Sequence, residues 1–300
     1  MDQLKIRRAD APRCTNRTAQ MIIDAHQHFW QPLRGDYGWM PEDNPTLNRA
    51  YAPKDLLPIL TQHNIGGTIL VQAAPSVEET EYMLGLADCC DAILGVVGWV
   101  DFETPSQRQT LARLSQHPKF LGVRPMIQDI PDVNWMLSAD IQWAFESICQ
   151  LDLSFDALGF PQHLPNFLTL AKRYPEMRTV YDHCMKPQIR DSMGGQDALT
   201  KWAEGITALA NIGSSYCKLS GLITEASEGW TKADLKPFSD HILQSFGSDR
   251  VMWGSDWPVC RLQGEYDVWL SAAQSLTSHL APLEQAKVFA QNARNFYHLP

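Results

Sequence analysis

Short apolar runs and longer mixed segments alternate along this chain. Eight runs rich in β-branched residues read as buried strands: 21–30, 67–72, 93–100, 120–124, 153–158, 178–183, 216–220 and 250–254. Between them the spacing predicts helices over 55–63, 77–90, 106–117, 138–151, 163–174, 197–210 and 232–246, with a closing helix over 282–296. The helix over 77–90 follows Pro75-Ser76 and carries Glu78, Glu79 and Glu81 in its first turns, where the helix dipole favours acids. Strand–helix alternation of this kind implies parallel strands joined by crossovers. Eight such units imply a single-domain α/β protein, a (β/α)8 TIM barrel over residues 21–300. An open doubly wound sheet is the competing architecture, but no GxGxxG follows a strand to support it.

Composition adds limits. The chain has 300 residues, 44% hydrophobic and 20% charged, enough apolar material for the core of one large domain. A net charge of −9, with no basic run beyond Lys5–Arg8, argues against nucleic acid as a partner. No apolar run approaches the roughly 18 residues of a membrane span. Seven cysteines, an odd number with no CxxC pair, suit a reducing compartment. Residues 1–20 are polar and basic without an apolar h-region, so they read as a disordered extension, or as an upstream start with Met21 as the alternative. The expectation is a cytoplasmic protein acting on a small molecule, with the choice between monomer and homo-oligomer left open. The segment 31–51, with Tyr37 and Trp39, is long for a simple connection; it reads either as a site-lining loop or as a lid packed on the barrel rim.

In a barrel of this type the site lies at the C-terminal ends of the strands. Those ends carry His26 and His28, Gln72, Trp99 and Asp101, Arg124, Asp182 and His183, Lys218 and Ser220, and Asp256. Polar groups on buried strands cost free energy unless paired or bound to a ligand. The imidazoles of His26 and His28, two residues apart, share a face. On their own they fit a metal site or a pair of hydrogen-bonded structural histidines. With His183 and Asp256 they form a set of three histidines and one carboxylate, able to hold one divalent metal and a water, zinc being the first choice. Asp256 alternatively takes the proton from the attacking water and returns it to the leaving oxygen, or does both. Arg124 suits a carboxylate, a hydroxyl or a developing oxyanion, or else an ion pair on the rim. Lys218 reads as a substrate hydrogen-bond donor ahead of a Schiff base, and Gln72 as another substrate contact. The faces of Trp30 and Trp99 suit either a sugar ring or packing.

Taken together, Ile23-Asp24-Ala25-His26-Gln27-His28-Phe29-Trp30, Gly122-Val123-Arg124, Asp182-His183-Cys184-Met185-Lys186-Pro187, Cys217-Lys218-Leu219-Ser220-Gly221 and Gly254-Ser255-Asp256-Trp257-Pro258 resemble the amidohydrolase superfamily. Within it they resemble the branch of L-fuconolactonases, L-rhamnonolactonases and 2-pyrone-4,6-dicarboxylate lactonases. The resemblance implies hydrolysis of a cyclic ester with Asp256 as the general base. Gly122-Val123-Arg124 offers no bridging ligand and Ser154-Phe155-Asp156-Ala157-Leu158 no histidine, which argues against a two-metal site. Some members of the branch work without metal, so the implied cofactor is one divalent metal, zinc first, with a metal-free site as the alternative. Met185 stands where the family motif has glycine, and its side chain is expected to narrow the pocket. The reading is a sugar lactonase. A metal-dependent decarboxylase of aromatic acids and a non-catalytic sugar-acid binding protein are the alternatives.

Overall fold

The computed structural model of the protein describes residues 21–190, 196–213 and 215–300; the extension expected over 1–20 lies outside them. Strands β1 (Ile22–Gln27), β2 (Ile65–Val71), β3 (Ile93–Gly98), β4 (Phe120–Val123), β5 (Ser154–Ala157), β6 (Arg178–Tyr181), β7 (Tyr216–Leu219) and β8 (Val251–Trp253) form one parallel sheet in chain order. Helices α1 (Pro53–Gln62), α2 (Val77–Asp88), α3 (Gln107–Leu114), α4 (Gln142–Gln150), α5 (Leu164–Arg173), α6 (Gln196–Ala210), the short α7 (Leu222–Glu225) and α8 (Lys232–Phe246) connect them. This is the expected (β/α)8 barrel. Most strands stop one or more residues earlier than the apolar runs predict. Arg124, Asp182, His183, Ser220 and Asp256 therefore sit just beyond the strand ends, on the loops.

The sheet closes between its first and last strands. His28 N donates to the Trp257 carbonyl at 2.7 Å, and Asp256 N donates to the His26 carbonyl at 2.8 Å. Gly254 is required at this seam, because a Cβ there would meet the His26 Cβ at 2.7 Å. Asp24 ties the same seam from outside the barrel, accepting from Ser255 N at 2.8 Å and from the Tyr266 hydroxyl at 3.1 Å.

Ile23, Ala25, Ile69, Val71, Val97, Val180 and Met252 fill the barrel interior, and the main core lies between sheet and helices. The chain end plugs the interior with Ala293, Phe296 and Tyr297. That closing segment is not one uniform helix: α10 (Pro282–Ala286) and α11 (Asn292–Phe296) follow α9 (Tyr266–Leu276) and are joined by a π-turn at Lys287–Gln291. The apolar pattern led to no expectation for α9, which buries Tyr266, Trp269, Leu270 and Ala273 on one face. The helix expected over 138–151 begins instead with a 3-10 turn at Ala139–Ile141. Among the described residues no helix is long and apolar enough to cross a membrane.

Candidate active site

A β-bulge in β1 aims its histidines. Asp24 pairs with Thr68 and Gln27 with Leu70, so three steps of β1 run against two of β2. Ile23 and Ala25 face the interior while Asp24 bonds outward to Tyr266. The extra residue brings His26 inward directly after Ala25, and His28 follows on the same face. Bulges next to sites commonly re-aim a side chain in this way. The two Nε2 atoms lie 3.2 Å apart.

Each ring has a partner behind it. His28 Nδ1 donates to the Val71 carbonyl at 2.7 Å, leaving Nε2 as an acceptor 3.3 Å from Asp256 Oδ1. His183 Nδ1 lies 2.9 Å from Ser220 Oγ, and its Nε2 is 3.8 Å from Asp256 Oδ1. His183 stands in a turn where it, Cys184, Met185 and Lys186 all have positive φ, between 46 and 58°. The following loop presses against it: a Cβ on Gly221 would meet the His183 Cβ at 2.7 Å, and the φ of that glycine is +65°. His26 Nδ1 faces Lys218 Nζ at 3.1 Å and Asp182 Oδ1 at 3.5 Å. When Lys218 donates to Nδ1, the ring proton of His26 sits on Nε2 and is shared with His28. When Asp182 accepts from Nδ1, Nε2 is left as a free lone pair.

Burial governs the protonation states. It depresses all three histidines, His183 to about 4, and Lys218 adds to the effect on His26. They are therefore neutral imidazoles at pH 7. Burial pushes the Asp256 carboxyl up, but the surrounding rings of His183, His28 and His26, which take up a proton more readily beside an ionised carboxylate, outweigh it and hold the group below the usual carboxylate range. Burial likewise opposes ionisation of Asp182, and Lys218 and His26 override it.

The donor set suits a divalent metal. The ligand atoms of His26, His28 and Asp256 lie within 4.8 Å of one another, as do those of His26, Asp182 and His183. Neutral nitrogens with carbonyl, hydroxyl or carboxylate partners behind them, plus an ionised oxygen, are what zinc and similar ions take.

The cavity in front of these groups has a volume of about 210 Å³ and is lined by His28, Trp30, Arg124, His183 and Asp256. Arg124 is 4% exposed, and its Nη2 donates to the Gln72 carbonyl while Nη1 lies 3.4 Å from Asp182 Oδ2. Its Nε has no partner, a buried donor left for a ligand.

Three expected substrate contacts lie elsewhere. Gln72 is fully buried, and its amide donates to the Arg124 carbonyl, so it braces Arg124 from behind. Lys218 lies below the site and lines no part of the cavity: its Nζ is 2.5 Å from Asp156 Oδ2, 3.0 Å from Asp182 Oδ1 and 3.1 Å from His26 Nδ1. Trp99 lines the neighbouring cavity. Met185 packs beside Gly159 rather than in the pocket. Asp156, which also accepts from the Tyr297 hydroxyl at 2.6 Å, was given no role by the sequence; its place in a buried strand was the available signal. Trp39 and Lys186 also line the cavity, and Trp39 comes from the segment 31–51, which therefore lines the site.

The amidohydrolase family profile matches residues 23–299. The chain is 39% identical to an L-fucono-1,5-lactonase of Burkholderia ambifaria, over 92% of this chain and 95% of that protein. It is 34% identical to an L-fucono-1,5-lactonase of Burkholderia multivorans, over 93% and 96% respectively. A crystal structure of an amidohydrolase from Burkholderia multivorans with bound zinc superposes with a TM-score of 0.87 at 33% identity, covering 93% of this chain and all of that one.

Proposed function

The chain belongs to the amidohydrolase family, and from that premise we propose that it is a lactonase opening a sugar lactone of the L-fucono-1,5-lactone kind to its hydroxy acid. The observation that carries the reading is an ionised Asp256 held against neutral imidazoles in a small cavity, beside an Arg124 whose Nε has no protein partner.

The lactone carbonyl oxygen is placed against Arg124, which supplies hydrogen bonds to the charge that grows there as water adds. Asp256 accepts a proton from that water as its oxygen bonds to the carbonyl carbon. A weakly basic carboxylate suits this task, because a water already forming a C–O bond is far more acidic than a free one. The same proton then passes to the ring oxygen as its bond to the carbonyl carbon breaks, giving a hydroxyl and a carboxylic acid. His183 orients Asp256, and Trp30, fully buried, backs the cavity wall beside His28. A single divalent ion, zinc in our reading, is assigned to His26, His28, His183 and Asp256; when bound it supplies Lewis acidity to the carbonyl and the water.

The test is acid release, followed with a pH indicator, from sugar lactones and pyrone dicarboxylate lactone before and after chelation. Asp256→Asn is expected to lower kcat on the best lactone by roughly a hundredfold or more while binding persists. Near-native turnover by that variant would remove Asp256 from the mechanism. Carbon dioxide release from a hydroxybenzoate, with no acid from any lactone, would transfer the site to decarboxylation.

A further inference from the structure

Beside the inner cavity lies a larger one of about 880 Å³, against about 210 Å³ for the cavity holding Asp256. Trp39 and Met126 line both, so the two spaces share a wall. The inner volume suits one small ring. The outer volume lies in the range that small-molecule ligands occupy.

The outer walls have a definite chemistry. Trp99 and Trp135 present indole rings, and Phe102 stacks on Trp135 with centroids 5.8 Å apart and planes 26° from parallel. Glu103 fixes the Trp135 ring, accepting its Nε1–H at 2.8 Å. Asp36, Asp101, Glu103 and Asp129 also line the space, and no lysine or arginine does. One oxygen of Asp36, Oδ1, has no hydrogen-bond partner. Asp36 is paired with Arg34 at 2.7 Å, whereas no lysine or arginine lines the cavity beside the other three. Carboxylates in such a space repel anions and accept hydrogen bonds from hydroxyls, while indole faces suit the C–H face of a sugar ring. Together these features select a neutral, hydroxyl-rich ring.

We propose that the outer cavity is a subsite for a second sugar ring attached to the lactone ring, so that the protein accepts glycosyl aldonolactones as well as free ones. This rests on the lactonase reading of the inner site. The experiment compares a disaccharide aldonolactone with the corresponding free hexonolactone, using the native protein, Trp135→Leu and Gly38→Phe. Gly38 lines the outer cavity, and a Cβ there meets nothing within 4 Å, so this variant narrows the space without disturbing the fold if the larger core change at Trp135 proves unstable. Loss of an aromatic platform is expected to lower kcat/KM for the disaccharide lactone about tenfold, with the free lactone unchanged within about twofold. Equal losses on both lactones, no effect of either folded variant, or native hydrolysis of the free lactone alone would each overturn the subsite. Hydrolysis of neither lactone by the native protein would instead bring down the lactonase reading beneath it.

Discussion

Lys218 shows what a single residue can and cannot disclose. Its place in the apolar run Tyr216–Ser220 marks it as buried, and the structure leaves it 0% exposed. Its partners were not legible, because Asp156 stands 62 residues away and Asp182 lies just past the end of another strand, β6. Pairing with two carboxylates places the lysine in the barrel interior, behind His26. Breaking a buried ion pair strands the charges it served, so Lys218→Met is expected to cost about 3–5 kcal/mol of stability. Urea denaturation of the variant and the native protein measures this. A change below about 1 kcal/mol would mean that Asp156 and Asp182 find other partners or take up protons. Arg124 is the reverse case: the sequence left it between a ligand contact and an ion pair, and its orphaned Nε favours the ligand.

At the scale of elements, the eight strands were legible because each is a short apolar run. Their polar termini marked where the site lies. The bulge in β1 was not legible, since nothing in Asp24-Ala25-His26-Gln27 announces an extra residue; only pairing with β2 creates it. The left-handed turn from His183 to Lys186 escaped for a similar reason, having no glycine to mark it. The turn between β2 and α2 was legible in part. Glu79 was read as a helix-dipole acid, yet it is fully buried, and its carboxylate accepts from the Ala73 and Ala74 amides at 3.0 and 2.7 Å. Trp39, on the cavity wall, donates to the Ala73 carbonyl at 2.6 Å, so this carboxylate helps set the rim of the site. Burial pushes Glu79 up to about 7 from an ordinary value of 4.5. The folded protein thus holds a proton there that the unfolded chain releases. Stability from this group is fully present below about 4.5 and is lost as the pH rises through 7. The stability difference between native protein and Glu79→Gln should therefore shrink from pH 5 to pH 7 and level off above, other titrating groups cancelling in the comparison. Melting both proteins across that range tests it, and a difference independent of pH would show that Glu79 is ionised throughout.

For the whole molecule, the net charge of −9 bears on turnover. A lactone is neutral and its product is an anion, so the protein's field acts on departure more than on arrival. Raising ionic strength screens that field. Added salt is expected to leave kcat/KM for the lactone nearly constant while the product acid becomes a somewhat stronger inhibitor. Inhibition that weakens with salt would show that cations such as Arg124 and Lys186 dominate at the cavity mouth. The barrel's seam carries a further consequence. His28 and Asp256 face each other from opposite ends of the chain, 228 residues apart, and the same seam holds their backbones. A chain still being made is expected to lack a working site until β8 has emerged and met β1, because neither half holds both groups.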